Sequence, residues 1–130
     1  MKLIIGGAYQ GKLFYAKEAF QILDGWQDGA VCTEEELADC RGVFHFHEQI
    51  RRWMKEESDP MQKTKELLSA NPEICIVTNE LGYGVVPVDA FDRKWRETTG
   101  RIGTLLAQEA DEVHRVVCGI GMILKGGMKK

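Results

Sequence analysis

A glycine-rich loop near the start of the chain constrains the fold more than any other feature. The apolar segment Leu3 to Ile5 runs directly into Gly6-Gly7-Ala8-Tyr9-Gln10-Gly11-Lys12-Leu13. Glycines allow consecutive backbone N–H groups to turn toward one anion, while a lysine at the start of a helix adds positive charge. The spacing G-x-x-x-x-G-K is that of a phosphate-binding loop, or P-loop. The sequence therefore predicts that residues 6–13 bind a nucleotide's phosphates and that Lys12 is the cationic contact. A tight strand-to-helix turn is the alternative.

The residue after the lysine departs from this motif. A serine or threonine normally stands there and its hydroxyl binds Mg²⁺, whereas this chain has Leu13. The sequence thus predicts a phosphate cradle that lacks one metal ligand. GTP or ATP remains the expected ligand, Mg²⁺ the expected cofactor, and phosphoryl transfer is left open.

Strand-like and helix-like patterns alternate along the rest of the chain. Strands are predicted at residues 29–33, 43–47, 74–77, 113–118 and 122–124. Helices are predicted after Lys12, over 48–57, from Pro60 to Asn71 and from Asp89 onward. Such alternation implies a mainly parallel sheet covered by helices on both faces. We therefore predict a single P-loop NTPase-like α/β domain of three layers over residues 1–130.

Local signals mark several helix ends. Thr33 followed by Glu36 is a capping-box pattern, Pro60 suits a first helical position, and Asp89 can cap the last helix. Gly100 is expected to weaken or kink that helix.

Two acidic residues are candidates for chemistry because each follows a predicted strand. Ligands of parallel sheets bind at the carboxyl ends of the strands, so the loop, Glu48 and Glu80 are expected to converge. Lys12, Glu48 and Glu80 are the predicted catalytic residues, and the two glutamates are the predicted Mg²⁺ ligands. The alternatives are an acid that stabilises a helix N-terminus at Glu48 and a solvated turn at Glu80.

Two histidines and two tryptophans have simpler interpretations. His45 and His47 are predicted on the same side of the third strand, and without further ligand spacing they favour packing or edge hydrogen bonds over metal binding. Trp53 and Trp95 fall on helix stripes, which favours core or subunit contacts.

Composition excludes several classes of protein. The net charge is −3, which argues against a general nucleic-acid or membrane surface. No apolar run approaches a membrane span and no signal-peptide pattern is present, so we expect a cytoplasmic location. The four cysteines form no C-x-x-C pair and are expected to be free thiols. Cys75 and Cys118 are expected to be buried in strands.

The second half of the chain carries a family resemblance. Residues 77–87, VTNELGYGVVP, resemble the V-[TS]-N-E-[VL]-G-x-G-[IV]-V-P segment of the bifunctional adenosylcobinamide kinase/adenosylcobinamide-phosphate guanylyltransferases of cobalamin synthesis. The likeness continues to Lys125. Ile4 to Lys12 is similar to that family's G-G-A-x-x-G-K, and Phe46 to Ile50 is similar to its L-L-E-C-[LI] segment.

The resemblance implies a nucleotide site at the loop, with Glu48 and Glu80 facing phosphates and metal. It also implies a cobinamide-type small molecule as acceptor and a homo-oligomer, specifically a trimer. In that family a histidine between the second and third strands receives the guanylyl group, but Thr33 to Gly42 contains none. Gly103-Thr104-Leu105 also replaces a polar Asn-Gln-Arg segment. The expectation is a nucleotide-binding relative without guanylyl transfer; the alternative is a non-catalytic nucleotide-binding, assembly or regulatory relative.

Overall fold

The computed structural model describes residues 1–8, 10–81 and 89–126. Its strands are β1 (Lys2–Gly6), β2 (Trp26–Asp28), β3 (Gly42–Phe44), β4 (Cys75–Asn79), β5 (Glu112–Val117) and β6 (Ile120–Lys125). Its helices are α1 (Lys12–Phe20), α2 (Glu34–Asp39), α3 (Phe46–Lys55), α4 (Pro60–Ala70) and α5 (Ala90–Glu109). The strands form one sheet in the order β2-β3-β4-β1-β5-β6, and the β5–β6 pair is its antiparallel pair. The predicted α/β fold with a mainly parallel sheet is confirmed.

Alternate residues of β1 enter two hydrophobic clusters on opposite faces of the sheet. Leu3 packs with Trp53 and Leu106, and so with the side that carries α3 and α5. Ile4 packs with Ala16 and therefore with α1. Successive side chains of a strand point to opposite faces of the sheet, so a strand buried on both faces contributes to both clusters. The sheet therefore lies between two layers of helices.

The strand order places β1 at a topological switch point. Although β1 is first in the chain, it pairs in parallel with β4 on one side and β5 on the other. Gly6 at the end of β1 lies in register with Asn79 at the end of β4. The crevice outside these two strand ends is where open α/β sheets bind ligands.

The predicted strand at residues 29–33 is wrong, because the second strand is β2 and residues after it form a turn. The Asp28 carboxylate accepts a hydrogen bond from the N–H of Ala30 at 2.9 Å. The Asp28 carbonyl accepts from the N–H groups of Val31 and Cys32. Asparagine and aspartate close turns in this way, and this local bonding outweighs the β propensity of the apolar residues.

The third strand ends earlier than predicted, so the prediction for residues 43–47 is wrong at its carboxyl end. β3 stops at Phe44, His45 has a left-handed backbone with φ 56°, and α3 begins at Phe46. His45 and His47 are therefore not on one side of a strand, and Glu48 lies in the first turn of α3. The reason is packing: Phe46 and Trp53 are fully buried on the helical face, which the alternating pattern concealed.

Several predicted helix ends are confirmed. Thr33 and Glu36 form the reciprocal capping box, with Pro60 at the first position of α4 and the Asp89 side chain capping α5. α5 continues without a break through Gly100. These features depend on neighbours within a few residues, so sequence alone predicts them well.

The cysteines are free, as expected, and all four are among the described residues. Cys75 is buried in β4, but Cys118 is exposed in the β5–β6 turn, so its predicted burial in a strand is wrong. No helix in the described ranges is both long enough and apolar enough to cross a membrane.

Candidate phosphate-binding site

The glycine loop connects β1 to α1 in the strand–loop–helix context that its motif requires. Gly6 ends β1, and Gly11 has a left-handed backbone with φ 81° immediately before the helix begins at Lys12. A Cβ atom on Gly6 would lie 2.5 Å from the carbonyl oxygen of Val116, so a side chain there would displace the loop from β5. Tyr9, a predicted binding residue, lies outside the described residues. Glycine is therefore required at position 6 because the Val116 carbonyl lies so close, and at position 11 because the backbone is left-handed.

Lys12 is buried and folds back over the loop. Its Nζ donates a hydrogen bond to the Gly7 carbonyl oxygen at 2.7 Å. Burial lowers the pKa of Lys12, while the charge of nearby Glu80 acts in the opposite direction. A buried ammonium is stabilised much more strongly by an anion than by a neutral carbonyl as its hydrogen-bond acceptor. Lys12 is therefore in the electrostatic environment expected of a residue that binds phosphate.

The outer part of the loop is anchored to the β5–β6 turn. The Gln10 carbonyl accepts a hydrogen bond from the N–H of Gly119 at 2.8 Å. The Gln10 side-chain oxygen accepts from the N–H of Cys118. These contacts join residues more than a hundred positions apart, so sequence reasoning had no signal for them. These two hydrogen bonds hold the outer part of the loop against the β5–β6 turn.

A cavity of about 590 Å³ opens beside the loop at the carboxyl ends of the strands. Ala8, Lys12 and Leu13 line one end of it, while the β2, β3 and β4 side supplies further residues. The polar side chains on that side are Asp28, His45, His47, Glu48 and Asn79. The volume lies within the usual range for small-molecule sites. The predicted residues Lys12 and Glu48 thus share one cavity.

The structure places Glu80 differently from Glu48. Its carboxylate accepts a hydrogen bond from the Arg115 guanidinium at 2.9 Å, and its N–H donates to the Gly6 carbonyl at 2.8 Å. Glu80 lines a second cavity of about 440 Å³ on the α5 side, although it lies close enough to influence the pKa of Lys12. Glu80 therefore lies beside Gly6 in an ion pair with Arg115, whereas Glu48 lines the loop's own cavity.

His47 is a neutral, fixed group in the wall of this cavity. Its Nδ1 accepts a hydrogen bond from the Asn79 N–H at 3.2 Å, and its ring stacks on Trp95. Burial, together with the charges of His45 and Lys12, lowers the pKa of His47 to about 4. The bond at Nδ1 places the remaining hydrogen on Nε2. His47 thus ties the start of α3 to the end of β4.

The residues present do not fit a Mg²⁺ ion held by the protein alone. No group of three or more His, Cys, Asp or Glu side chains within the described ranges could hold a metal ion. Leu13 lines the cavity where the motif would supply a hydroxyl. Mg²⁺ in nucleotide sites depends largely on the substrate's phosphates, so any Mg²⁺ here would have to arrive on them.

One pair in the cavity was missed by sequence reasoning. Asp28 and His45 lie 3.0 Å apart at Oδ1 and Nδ1. The sequence signal was present in the Asp28-Gly29 turn and in the histidine just before a helix. Both were hidden because the prediction put the second strand at residues 29–33 and continued the third strand to residue 47.

The fold is that of an α/β protein with a mainly parallel sheet flanked by helices, and it is consistent with a P-loop-like fold. The family described as cobinamide kinase / cobinamide phosphate guanyltransferase matches residues 29–124, and the chain belongs to this family. The resemblance noted in the sequence is thereby confirmed. The matched range begins after the loop, so the role of residues 6–13 rests on their own sequence and geometry.

Individual relatives match over a shorter segment. Over 53 residues, or 41% of this chain, it is 45% identical to the bifunctional adenosylcobalamin biosynthesis protein CobU of Salmonella typhimurium and 43% identical to that of Escherichia coli. The bifunctional adenosylcobalamin biosynthesis protein CobP of Pseudomonas aeruginosa is 36% identical over a segment of the same length. The matches cover 29%, 29% and 31% of those relatives, so most of their length has no matched counterpart here.

Proposed function

We propose that this chain binds GTP or ATP at residues 6–13 and transfers the terminal phosphoryl group to a hydroxyl of a cobinamide-type acceptor. The observation that carries the proposal is the buried Lys12 ammonium, which lies at the start of α1 and opens on the 590 Å³ cavity. Family membership supports the choice of acceptor.

The chain's own residues would act mainly through position and charge. The loop N–H groups and the N-terminus of α1 would hold phosphate oxygens, and Lys12 would exchange the Gly7 carbonyl for a phosphate. Phosphoryl transfer requires chiefly alignment and neutralisation of charge, so it does not depend on a hydroxyl at position 13. Glu48 faces the same space and would orient the acceptor.

Guanylyl transfer is not part of the proposal. The connection from β2 to β3 spans residues 29–41 and contains no histidine, whereas the family resemblance places the guanylyl-accepting histidine between those strands. A stable protein–GMP adduct after incubation with α-labelled GTP would contradict this part.

A second candidate function is nucleotide binding without transfer, in a regulatory or assembly role. Leu13 favours it, because it removes the hydroxyl that would normally help to hold Mg²⁺. A nucleotide-dependent rise in melting temperature that is indifferent to Mg²⁺, with no labelled product, would support this second function over the first.

We also propose that the chain forms one domain that associates with copies of itself, as the resemblance to a trimeric family implies. The β5–β6 hairpin exposes large apolar side chains, with Ile120 69% and Leu124 57% exposed. Exposed apolar patches of this kind mark interaction surfaces. Light scattering should therefore give a mass above that of one chain, and Ile120→Lys should lower it.

Thermal melting with and without nucleotide tests the proposed function. A ligand at about 100 times its dissociation constant should stabilise the fold by about 2.7 kcal/mol. Lys12→Met should abolish the shift, whereas Lys17→Met, on the same helix but outside the cavity, should retain it. Transfer is then measured with γ-labelled GTP or ATP and cobinamide. Absence of any nucleotide-dependent shift in the unaltered protein would refute the proposal.

A further inference from the structure

A histidine–aspartate pair stands in the wall of the cavity that Lys12 enters. His45 Nδ1 lies 3.0 Å from Asp28 Oδ1. An ionised carboxylate only accepts hydrogen bonds, so Nδ1 carries the hydrogen and Nε2 keeps its lone pair. Within the described part of the chain, Nε2 has no hydrogen-bond partner. The pair therefore presents a basic nitrogen with a fixed tautomer, the arrangement by which a carboxylate orients a proton-accepting histidine.

The local backbone is built to hold this pair. β2 and β3 are parallel neighbours and Asp28 is in register with Phe44, so the ends of the two strands place the carboxylate beside the next residue, His45. His45 has a left-handed backbone, which is uncommon outside glycine and concentrates at functional sites. A Cβ on Gly29 would lie 2.6 Å from the His45 carbonyl oxygen, so the turn after Asp28 packs closely against that backbone.

The His45 ring is accessible although its orientation is restrained. Its side chain is 51% exposed, and the ring contacts Phe44 and His47 edge-on, with centroids 4.9 and 5.8 Å away. Its contribution to helix capping comes from the carbonyl oxygen, which accepts from the Glu48 N–H at 2.9 Å, and not from the ring. The ring nitrogen is thus available to a ligand in the cavity.

The ionisable groups around His45 differ from it in whether they are free to accept a proton. Asp28 from β2, Lys12 from α1, and His47 and Glu48 from α3 line the same cavity. Lys12 already carries its protons and donates to a carbonyl, and His47 uses its basic nitrogen on the Asn79 N–H. The Asp28 carboxylate is bonded to the His45 ring and to the Ala30 N–H, so the remaining bases among the described lining residues are His45 and the Glu48 carboxylate.

We infer that His45 accepts the proton of the acceptor hydroxyl during phosphoryl transfer, and that Asp28 holds its ring in the required tautomer. In this step the hydroxyl O–H bond breaks and its proton moves to Nε2, while the oxygen forms a bond to the γ-phosphorus. The bond from the γ-phosphorus to the β–γ bridging oxygen breaks, and the nucleoside diphosphate leaves. Asp28 stabilises the imidazolium until the proton passes to water. The inference rests on the proposed function.

Three variants test the assignment with γ-labelled nucleotide and cobinamide. His45→Asn keeps a residue that tolerates the left-handed backbone but removes the basic nitrogen, and it should lower kcat by about 100-fold or more. His45→Gly keeps the backbone and leaves space, so added imidazole should restore part of its activity and none of that of His45→Asn. Asp28→Asn should also lower kcat, whereas Asp24→Asn, an exposed aspartate elsewhere, should not.

Nucleotide binding separates this inference from the proposed function. The nucleotide-dependent melting shift should remain in the His45 variants and be lost in Lys12→Met. The fall of kcat at low pH should disappear in His45→Asn, and Glu48→Gln should retain that fall. If His45→Asn keeps kcat within threefold while Lys12→Met abolishes binding, the inference is refuted and the proposed function stands.

Other results would also refute the base assignment. Failure of the unaltered protein to phosphorylate cobinamide would overturn it together with the transfer part of the proposed function. Loss of the low-pH fall only in Glu48→Gln would assign the base to Glu48. A label from α-labelled GTP that stays on the unaltered protein and is lost in His45→Asn would make His45 a nucleophile.

Discussion

Lowering the pH to 5 should destabilise the fold through His47, because the unfolded chain binds a proton there and the folded chain does not. Its side chain is 7% exposed, and its pKa is lowered from 6.5 to about 4. Between these values the unfolded chain binds a proton that the folded chain does not, so the free energy of unfolding falls as pH falls. At about 1.36 kcal/mol per pKa unit, the loss between pH 7 and pH 5 is at most about 2 kcal/mol.

Urea unfolding at pH 7 and pH 5 measures this loss when the unaltered protein is compared with His47→Gln. Glutamine can still accept from the Asn79 N–H but does not titrate, and the other ionisable groups are common to both proteins. The unaltered protein should therefore lose about 2 kcal/mol more than the variant over this interval. Equal losses in the two proteins would refute the description of His47 as a buried neutral group.

Contacts in the loop and at the start of α2 lead to three further predictions. Gly6→Ala forces its Cβ toward the Val116 carbonyl, so urea unfolding should show a loss of about 1–3 kcal/mol and melting should show no nucleotide shift; a normal shift would contradict the close approach. Leu13→Ser supplies the missing hydroxyl, so titration calorimetry should show nucleotide binding that depends more strongly on Mg²⁺ than in the unaltered protein, and an unchanged dependence would contradict this. Thr33→Ala breaks the capping box of α2 and should cost about 1 kcal/mol in urea unfolding without changing the nucleotide shift.

The parts of the fold that sequence predicted are those fixed by neighbouring residues. The glycine loop has its own spacing, and the apolar run that forms β4 is buried on both faces as predicted. Helix ends at Thr33 and Asp89 depend on side-chain caps within three residues. Such local signals survive in any fold that contains them.

The parts that were misplaced depend on distant packing. β2 is only three residues long, and its Trp26 ring lies against Gly42 of β3, where there is no room for a Cβ atom. No local pattern around residue 26 indicates that contact. In the same way, the alternation at residues 43–47 fits a strand until the burial of Phe46 in the core requires a helix.

These two errors concealed the Asp28–His45 pair. With the second strand placed at 29–33, Asp28 fell before it, and with the third strand extended to 47, His45 fell inside it. The true ends put both residues at the same edge of the sheet, beside the loop. The sequence was therefore least informative about the candidate site at β2 and β3, the two short parallel strands at the edge of the sheet.

The central claim is that the amides of residues 6–13 surround a nucleotide's phosphates, and amide chemical-shift mapping by NMR tests it most directly. Titration with a non-hydrolysable GTP or ATP analogue should shift the amide signals of Gly7, Gly11 and Lys12 in a saturable way. The Lys12→Met protein should give no such saturation at the same concentrations. Shifts confined to other parts of the chain, or none at all in the unaltered protein, would contradict the account.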